Sequence, residues 1–415
     1  MYVLKVFILF SLIFFAFGAS EKPFTILDAS EYERRLPKVR YHLYDPQLFL
    51  MYTECLPVLR RPCYSTRSKN EYFHGLDMNF VEAIIALNQS VPPSEADLFI
   101  IPVFYNQAYL WNMPCHTLPG GPSRLIDQMF KVLHSQGNYI AGMRNHFLMA
   151  DHYASGFTQH WDSFTYPLEL IVGRYEVPTA CYSLYRTEVK DMSQFMNVGY
   201  ATKNGIYANC PYHDSTRSMD ISSFKSIHNR KYLMSFTGGV YYKEGESKNY
   251  DNRNLLLDYV NAHNSTPDDI YISIYKKWLP ISETNPRVKA SDILQDSLIS
   301  LFMRGDTPTT DRLWVAFEHL TLIGELSTEK EELLPLLPFP HRVPWEEIIV
   351  WIDFDAFVTN PFEAMRSTAL GLDSNERERR YNLMLKHRRD VLWAYNESVA
   401  VLNVLEEAAS HIKVL

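Results

Sequence analysis

The sequence predicts an α/β protein built from two parallel-sheet domains, on three observations. Apolar runs alternate with helical patterns through the first half, a stretch rich in Asn, Gly, Ser and His interrupts them at 196–230, and the alternation resumes from Lys231. A chain of 415 residues can bury two ordinary cores, and 47% hydrophobic with 14% aromatic residues excludes a largely disordered protein.

In the first unit the alternation runs through 39–44, 77–87, 97–104, 123–134 and 167–173, which predicts a parallel sheet with covering helices. The polar stretch is where the chain is expected to cross between domains, dividing it into units at 36–215 and 228–370. The second unit opens with the run 232–236 and a Gly238-Gly239 turn. A helix follows at 253–262 with Leu256, Leu257 and Val260 on its apolar side, then strands at 270–274, 298–303 and 348–352. Beyond this, 371–415 is expected to be a C-terminal helical segment; its charged part, 373–393, carries Leu383, Met384, Val391 and Leu392 at positions that predict a helix. There is no internal repeat and no low-complexity tract.

The net charge of −8 argues against a broad nucleic-acid footprint, so an anionic partner must be met locally. Residues 1–20 carry Lys5, an apolar run over 6–17 broken by Ser11, and a small-residue exit around Gly18 and Ala19, which reads as a signal peptide or signal anchor. The run is shorter than the roughly 20 apolar residues of a comfortable membrane span, which favours cleavage. Sequons at Asn88, Asn264 and Asn396 agree with a lumenal or extracellular chain. The five cysteines, Cys55, Cys63, Cys115, Cys181 and Cys210, form no metal-type pair; Cys55 and Cys63 are close enough to bridge a small loop.

The most informative stretch is 298–318. A short apolar strand leads to Gly305, which permits a tight turn with Asp306; Thr307 can cap and Pro308 suits the first position of a helix running through Leu313 and Phe317. Free N–H groups and the positive dipole end at such a helix start suit a diphosphate, and Arg304 and Arg312 flank it. An ordinary strand-turn-helix connection reads the same way. Asp353 and Asp355, an Asp-x-Asp pair at a strand end, could hold a divalent metal and a diphosphate.

The stretch resembles the signature of the exostosin-type glycosyltransferases: an apolar strand, Gly-Asp-x-Pro, a Ser/Thr pair, Arg-Leu and an amphipathic helix. Other segments resemble that family in the same order over about 38–365. They are the first strand around Tyr41, Ala96-Asp97 with its strand and Pro102, the paired histidines at His146 and His152, Gly238-Gly239 followed by Arg253, and Leu337-Pro338-Phe339 before a further buried strand at 345–350.

The resemblance implies a GT-B fold, two Rossmann-like domains facing a cleft, and transfer of a sugar from a UDP-sugar to a glycan or glycoprotein acceptor. It further implies inversion, no metal, and no cofactor beyond the donor. It implies a secretory-pathway location, in the Golgi lumen as a membrane-anchored enzyme or secreted, and leaves a homo- or heterodimer open. The donor would meet Gly238, Gly239, Arg253, Arg304, Gly305, Asp306, Thr309, Thr310 and Arg312. Asp151 or His152 would take the acceptor proton, with His146 positioning. Two features depart from the family. Its ribose-binding acidic residue is replaced by Val315, with Glu318 one turn on at about 5–6 Å between Cβ atoms, and its Gly-Cys-x-Pro is replaced by Leu320, Thr321, Leu322 and Ile323. These departures motivate two alternatives: a catalytically silent glycan-binding or partner protein, and metal-dependent transfer through Asp353 and Asp355.

Overall fold

The computed structural model describes residues 39–59, 76–105, 108, 118–140, 143–150, 170–174, 195–197, 224–240, 250–263, 265–276, 288, 293–305, 311–392 and 398–412. Two five-stranded, all-parallel sheets organise them. The first comprises β1 (Tyr41–Leu43), β2 (Leu98–Ile100), β3 (His146–Met149), β4 (Leu170–Arg174) and β5 (Phe195–Asn197), paired in chain order. Three residues lie level across it, His42 beside Phe99 and Phe99 beside His146. Helices α1 (Leu50–Leu59), α2 (Leu76–Leu87) and α3 (Gly121–Ser135) connect its strands. On α3, Leu125, Ile126, Met129 and Leu133 recur at helical spacing and are buried, the stripe that the 123–134 pattern predicts.

The second sheet contains β6 (Tyr232–Val240), β7 (Ile270–Lys276), β8 (Ser297–Phe302), β9 (Leu322–Leu326) and β10 (Val350–Ile352) in the order β10-β9-β8-β6-β7. Its helices are α4 (Asp251–His263), α5 (Asp311–His319), α6 (Lys330–Leu333), α7 (Trp345–Ile348), α8 (Phe354–Thr359), α9 (Pro361–Gly371) and α10 (Ser374–Val391). From β6 the chain goes first to β7 on one side, then returns past β6 to β8 on the other. Right-handed crossovers therefore put α4 and α5 on opposite faces, and the order reverses between β6 and β8. The first sheet has no such reversal among the described strands.

Two elements differ from the sequence expectation. The run at 345–350, expected as strand, begins as α7 because Pro344 starts a helical turn: Ile348 N–H bonds the Pro344 carbonyl at 3.1 Å and Ile349 N–H bonds Trp345 at 2.9 Å. The segment replacing Gly-Cys-x-Pro closes α5 and then forms β9. Leu320 has φ +50°. Thr321 N–H reaches the Ala316 carbonyl at 3.1 Å and Leu320 N–H the Phe317 carbonyl at 3.4 Å, a Schellman ending with leucine where glycine is preferred. Arg230 holds that strained corner, donating to the Leu320 carbonyl at 3.1 Å and the Thr321 hydroxyl at 3.0 Å.

A last helix, α11 (Ala400–Ser410), lies within the 371–415 segment expected to be helical. It packs against α10 and also against α2 and β4 of the first sheet, so the C-terminal segment returns across the molecule. Buried residues of both sheets and of α11 belong to one continuous apolar cluster. Among the described residues, no helix is long and apolar enough to cross a membrane, and Cys55 is a buried free thiol; Cys63 lies outside them.

Candidate functional site

In open parallel sheets the ligand crevice lies beyond the carboxyl ends of the strands where the order reverses. Here that point is between β6, which ends in Gly238, Gly239 and Val240, and β8, which is followed by Met303, Arg304 and Gly305. The two strands pair only as far as Ser235 and Ser300 and then separate. Gly238, Gly239, Arg304 and Gly305 are thereby brought together from segments about 65 residues apart.

Arg253, on the first turn of α4, lies across this separation and is 2% exposed. Its Nη1 donates to the Gly239 carbonyl at 2.9 Å, while Nε and Nη2 donate to the Met303 carbonyl at 3.2 and 2.5 Å. The guanidinium also sits over the rings of Tyr250 (5.1 Å) and Phe236 (5.8 Å). Its fork thus joins backbone to backbone.

Arg304 is similarly engaged. Nη1 donates to Glu332 Oε2 at 2.7 Å and lies 3.7 Å from Glu329 Oε2, and Asn252 donates to the other Glu329 oxygen at 3.0 Å. Glu325, on β9 level with Phe302, is buried at the same edge. Burial pushes its carboxyl well above the usual range, Glu329 adds to the rise, and the charges of Arg253 and Arg304 oppose it. Glu329 is likewise raised by burial, against the pull of Arg304. Sequence reasoning missed these carboxylates. The available signal was a glutamate inside the otherwise apolar strand Leu322–Leu326.

Arg312 and Val315 are half-buried on α5. Glu318 is 3% exposed, and its carbonyl accepts from Arg388 Nη2 of α10 at 2.6 Å, where α5 and α10 pack together. Asp306, Thr309 and Thr310 lie outside the described residues, as do Asn264 and Asn396. Asn88 is exposed just past α2 with φ +51°.

On the first sheet, His146 is fully buried at the start of β3. Its Nδ1–H donates to Asn145 Oδ1 at 2.8 Å, which leaves Nε2 to accept from the Tyr44 hydroxyl at 2.7 Å. The ring stacks on Phe99 with centroids 4.8 Å apart. Burial, helped by the charge of His42, lowers its pKa to about 3, so the imidazole stays neutral. Asp151 and His152 follow β3 in the chain and lie outside the described residues.

Asp353 caps α8, its Oδ1 accepting from Ala356 N–H at 2.8 Å, and Asp355 sits in the first turn of that helix. Both follow β10, the edge strand farthest from the β6–β8 reversal on that side. Among the described residues, no group of three or more His, Cys, Asp or Glu is placed to hold a metal.

Comparison with known proteins gave no matching family model and no matching curated protein. Among solved structures, the chain is similar at 11% identity to WaaG, a glycosyltransferase involved in lipopolysaccharide biosynthesis. The match spans 82% of this chain and 96% of that one, with a TM-score of 0.34. It is also similar, at 11% identity and TM-score 0.34, to a protein described as a UDP-N-acetylglucosamine 2-epimerase from Listeria monocytogenes, over 81% of this chain and 92% of that one. At such values, function has to be read from this chain's own residues and topology.

Proposed function

We propose that this chain is a GT-B-type glycosyltransferase of the exostosin kind, moving a sugar from a UDP-sugar to a glycan or glycoprotein acceptor with inversion and without a catalytic metal. The observation that carries the proposal is the reversal of strand order between β6 and β8, with Gly238-Gly239 at the end of one strand, Gly305 after the other, and α5 next in the chain. The start of α5, with Arg312 and with Thr309 and Thr310, receives the leaving diphosphate. The acceptor oxygen bonds to the anomeric carbon as the bond from that carbon to the diphosphate oxygen breaks, and Asp151 or His152 takes the proton. The leader-like first 20 residues and the three sequons support action in the secretory pathway, in the Golgi lumen or after secretion.

A second reading, a silent relative that keeps the fold, is favoured by the commitment of Arg253 and Arg304 to internal acceptors and by the three carboxylates crowding the strand ends. Thermal unfolding with UDP, with and without manganese and chelator, separates the readings. Stabilisation that survives chelator and disappears in Arg312→Ala is the result expected of a metal-free donor site. No shift with UDP identifies the silent relative, and a shift that requires manganese identifies the metal-dependent one.

A further inference from the structure

Beyond the last paired residues, Ser235 and Ser300, no ladder bond between β6 and β8 fixes their ends. Arg253 occupies that gap. One arm of its fork bonds Gly239 and the rest bonds Met303, so the planar guanidinium sets both the spacing of the two ends and the orientation of the peptide groups that follow them.

Both glycines at the edges leave room for this arrangement. A Cβ on Gly238 would stand 2.5 Å from Phe236 Cζ, in the ring over which the guanidinium lies. A Cβ on Gly305 would stand 3.0 Å from Arg253 Nη2. Glycines that read in sequence as turn residues here also leave the space a buried arginine clamp requires.

We propose that Arg253 is a positioning residue of the donor site: it holds the carboxyl ends of β6 and β8 apart at a set distance and never touches the donor. This deepens the nucleotide-sugar reading above and rests on it for the identity of the ligand. Replacing a direct phosphate ligand by lysine would leave the two strand ends unchanged in the absence of ligand. Replacing a clamp would not, because a lysine ammonium is a compact point charge that cannot reproduce the planar fork bridging two carbonyls.

The test uses the full chain as wild type, Arg253→Lys and Gly305→Ala. The last variant displaces the guanidinium without deleting it, and keeps the proposal testable if Arg253→Lys folds poorly. Amide hydrogen exchange without ligand is expected to speed up roughly tenfold or more at Val240 and Arg304 in both variants, and to stay unchanged in β3 and β9. Titration with UDP in a calorimeter is expected to show affinity falling about tenfold in both, because the peptide groups beyond β6 and β8 are no longer held at their set spacing. Unchanged exchange at Val240 and Arg304, or uniform acceleration through the second sheet, would overturn the clamp. Full UDP affinity in Arg253→Lys would overturn its role toward the donor. Absence of UDP binding by the wild type would overturn the nucleotide-sugar reading instead, and the exchange measurement still decides the clamp.

Discussion

Arg304 Nη1 and Glu332 Oε2 are joined at 2.7 Å, with Glu329 3.7 Å behind, so one of the arginines flanking the crevice is already neutralised by its own fold. In the proposed donor site the diphosphate is then left to Arg312. Arg304→Ala is expected to leave UDP affinity within about twofold, because a paired charge has little left to offer. Arg312→Ala is expected to weaken it tenfold or more, roughly the 1.5–3 kcal/mol of a charge-assisted hydrogen bond. Calorimetric titration of the two variants side by side checks the contrast; equal losses would contradict it.

Asp353 caps α8. Replacing it by alanine removes the bond to Ala356 N–H and is expected to lower stability by about 1 kcal/mol, the usual cost of a lost N-cap. Urea unfolding measures that loss. Transferase activity of Asp353→Ala in chelator is expected to match that of the wild type.

The neutral His146 makes the first sheet acid-sensitive. Its folded pKa of about 3 lies below the ordinary value of 6.5, so between these values the unfolded chain binds a proton that the folded chain refuses. Stability is therefore expected to fall as pH drops below 6.5, with at most about 1.4 kcal/mol per pH unit arising from this residue. Urea unfolding between pH 6.5 and 5, where ordinary carboxylates stay ionised, shows the slope, and comparison with His146→Phe isolates it from the raised Glu325 and Glu329. In His146→Phe the slope is expected to flatten.

Asn403 of α11 donates to the carbonyl and the carboxylate of Asp390, at 2.9 and 3.2 Å, while His387 bonds the other carboxylate oxygen at 2.8 Å. Burial pushes the Asp390 carboxyl up, but the hydrogen bonds from His387 and Asn403 and the nearby Arg342 outweigh it and hold it below its ordinary value. Asn403→Ala is expected to cost about 2 kcal/mol, since it leaves a buried carboxylate one donor short. Because the folded carboxyl then titrates at higher pH, stability is expected to be lost earlier on acidification. Urea unfolding at pH 7 and 4 gives both quantities.

The alternation of apolar runs and helical patterns made the parallel sheets legible, because strands buried on both faces read as nearly continuous apolar stretches. The run 232–236 and the pattern 253–262 became β6 and α4. Strand β9 was hidden because Gly324 and Glu325 break its apolar run, yet the backbone pairs through both, and a Cβ on Gly324 would stand 2.8 Å from Ile299 Cγ2. The segment 371–415 is expected to be helical, and α11 lies within it, but its packing on α2 and β4 of the first sheet depends on elements far away in the chain. The roles of the arginines were not legible at all. A basic residue beside a glycine turn reads the same whether its fork faces a ligand or a carbonyl.

By itself the sequence determined the two α/β units, the glycines at 238, 239 and 305, and the helix that follows the last of them, because backbone permissiveness and periodic burial are local properties. Strand order was decided only in three dimensions, and with it the crevice between β6 and β8. So were the fork of Arg253 on Gly239 and Met303, the pairing of Arg304 with Glu332, and the return of α11 to the first sheet. The physical reason is that a guanidinium bonds whatever acceptor the fold brings within about 3 Å, and which acceptor arrives depends on strands and helices far apart in the chain.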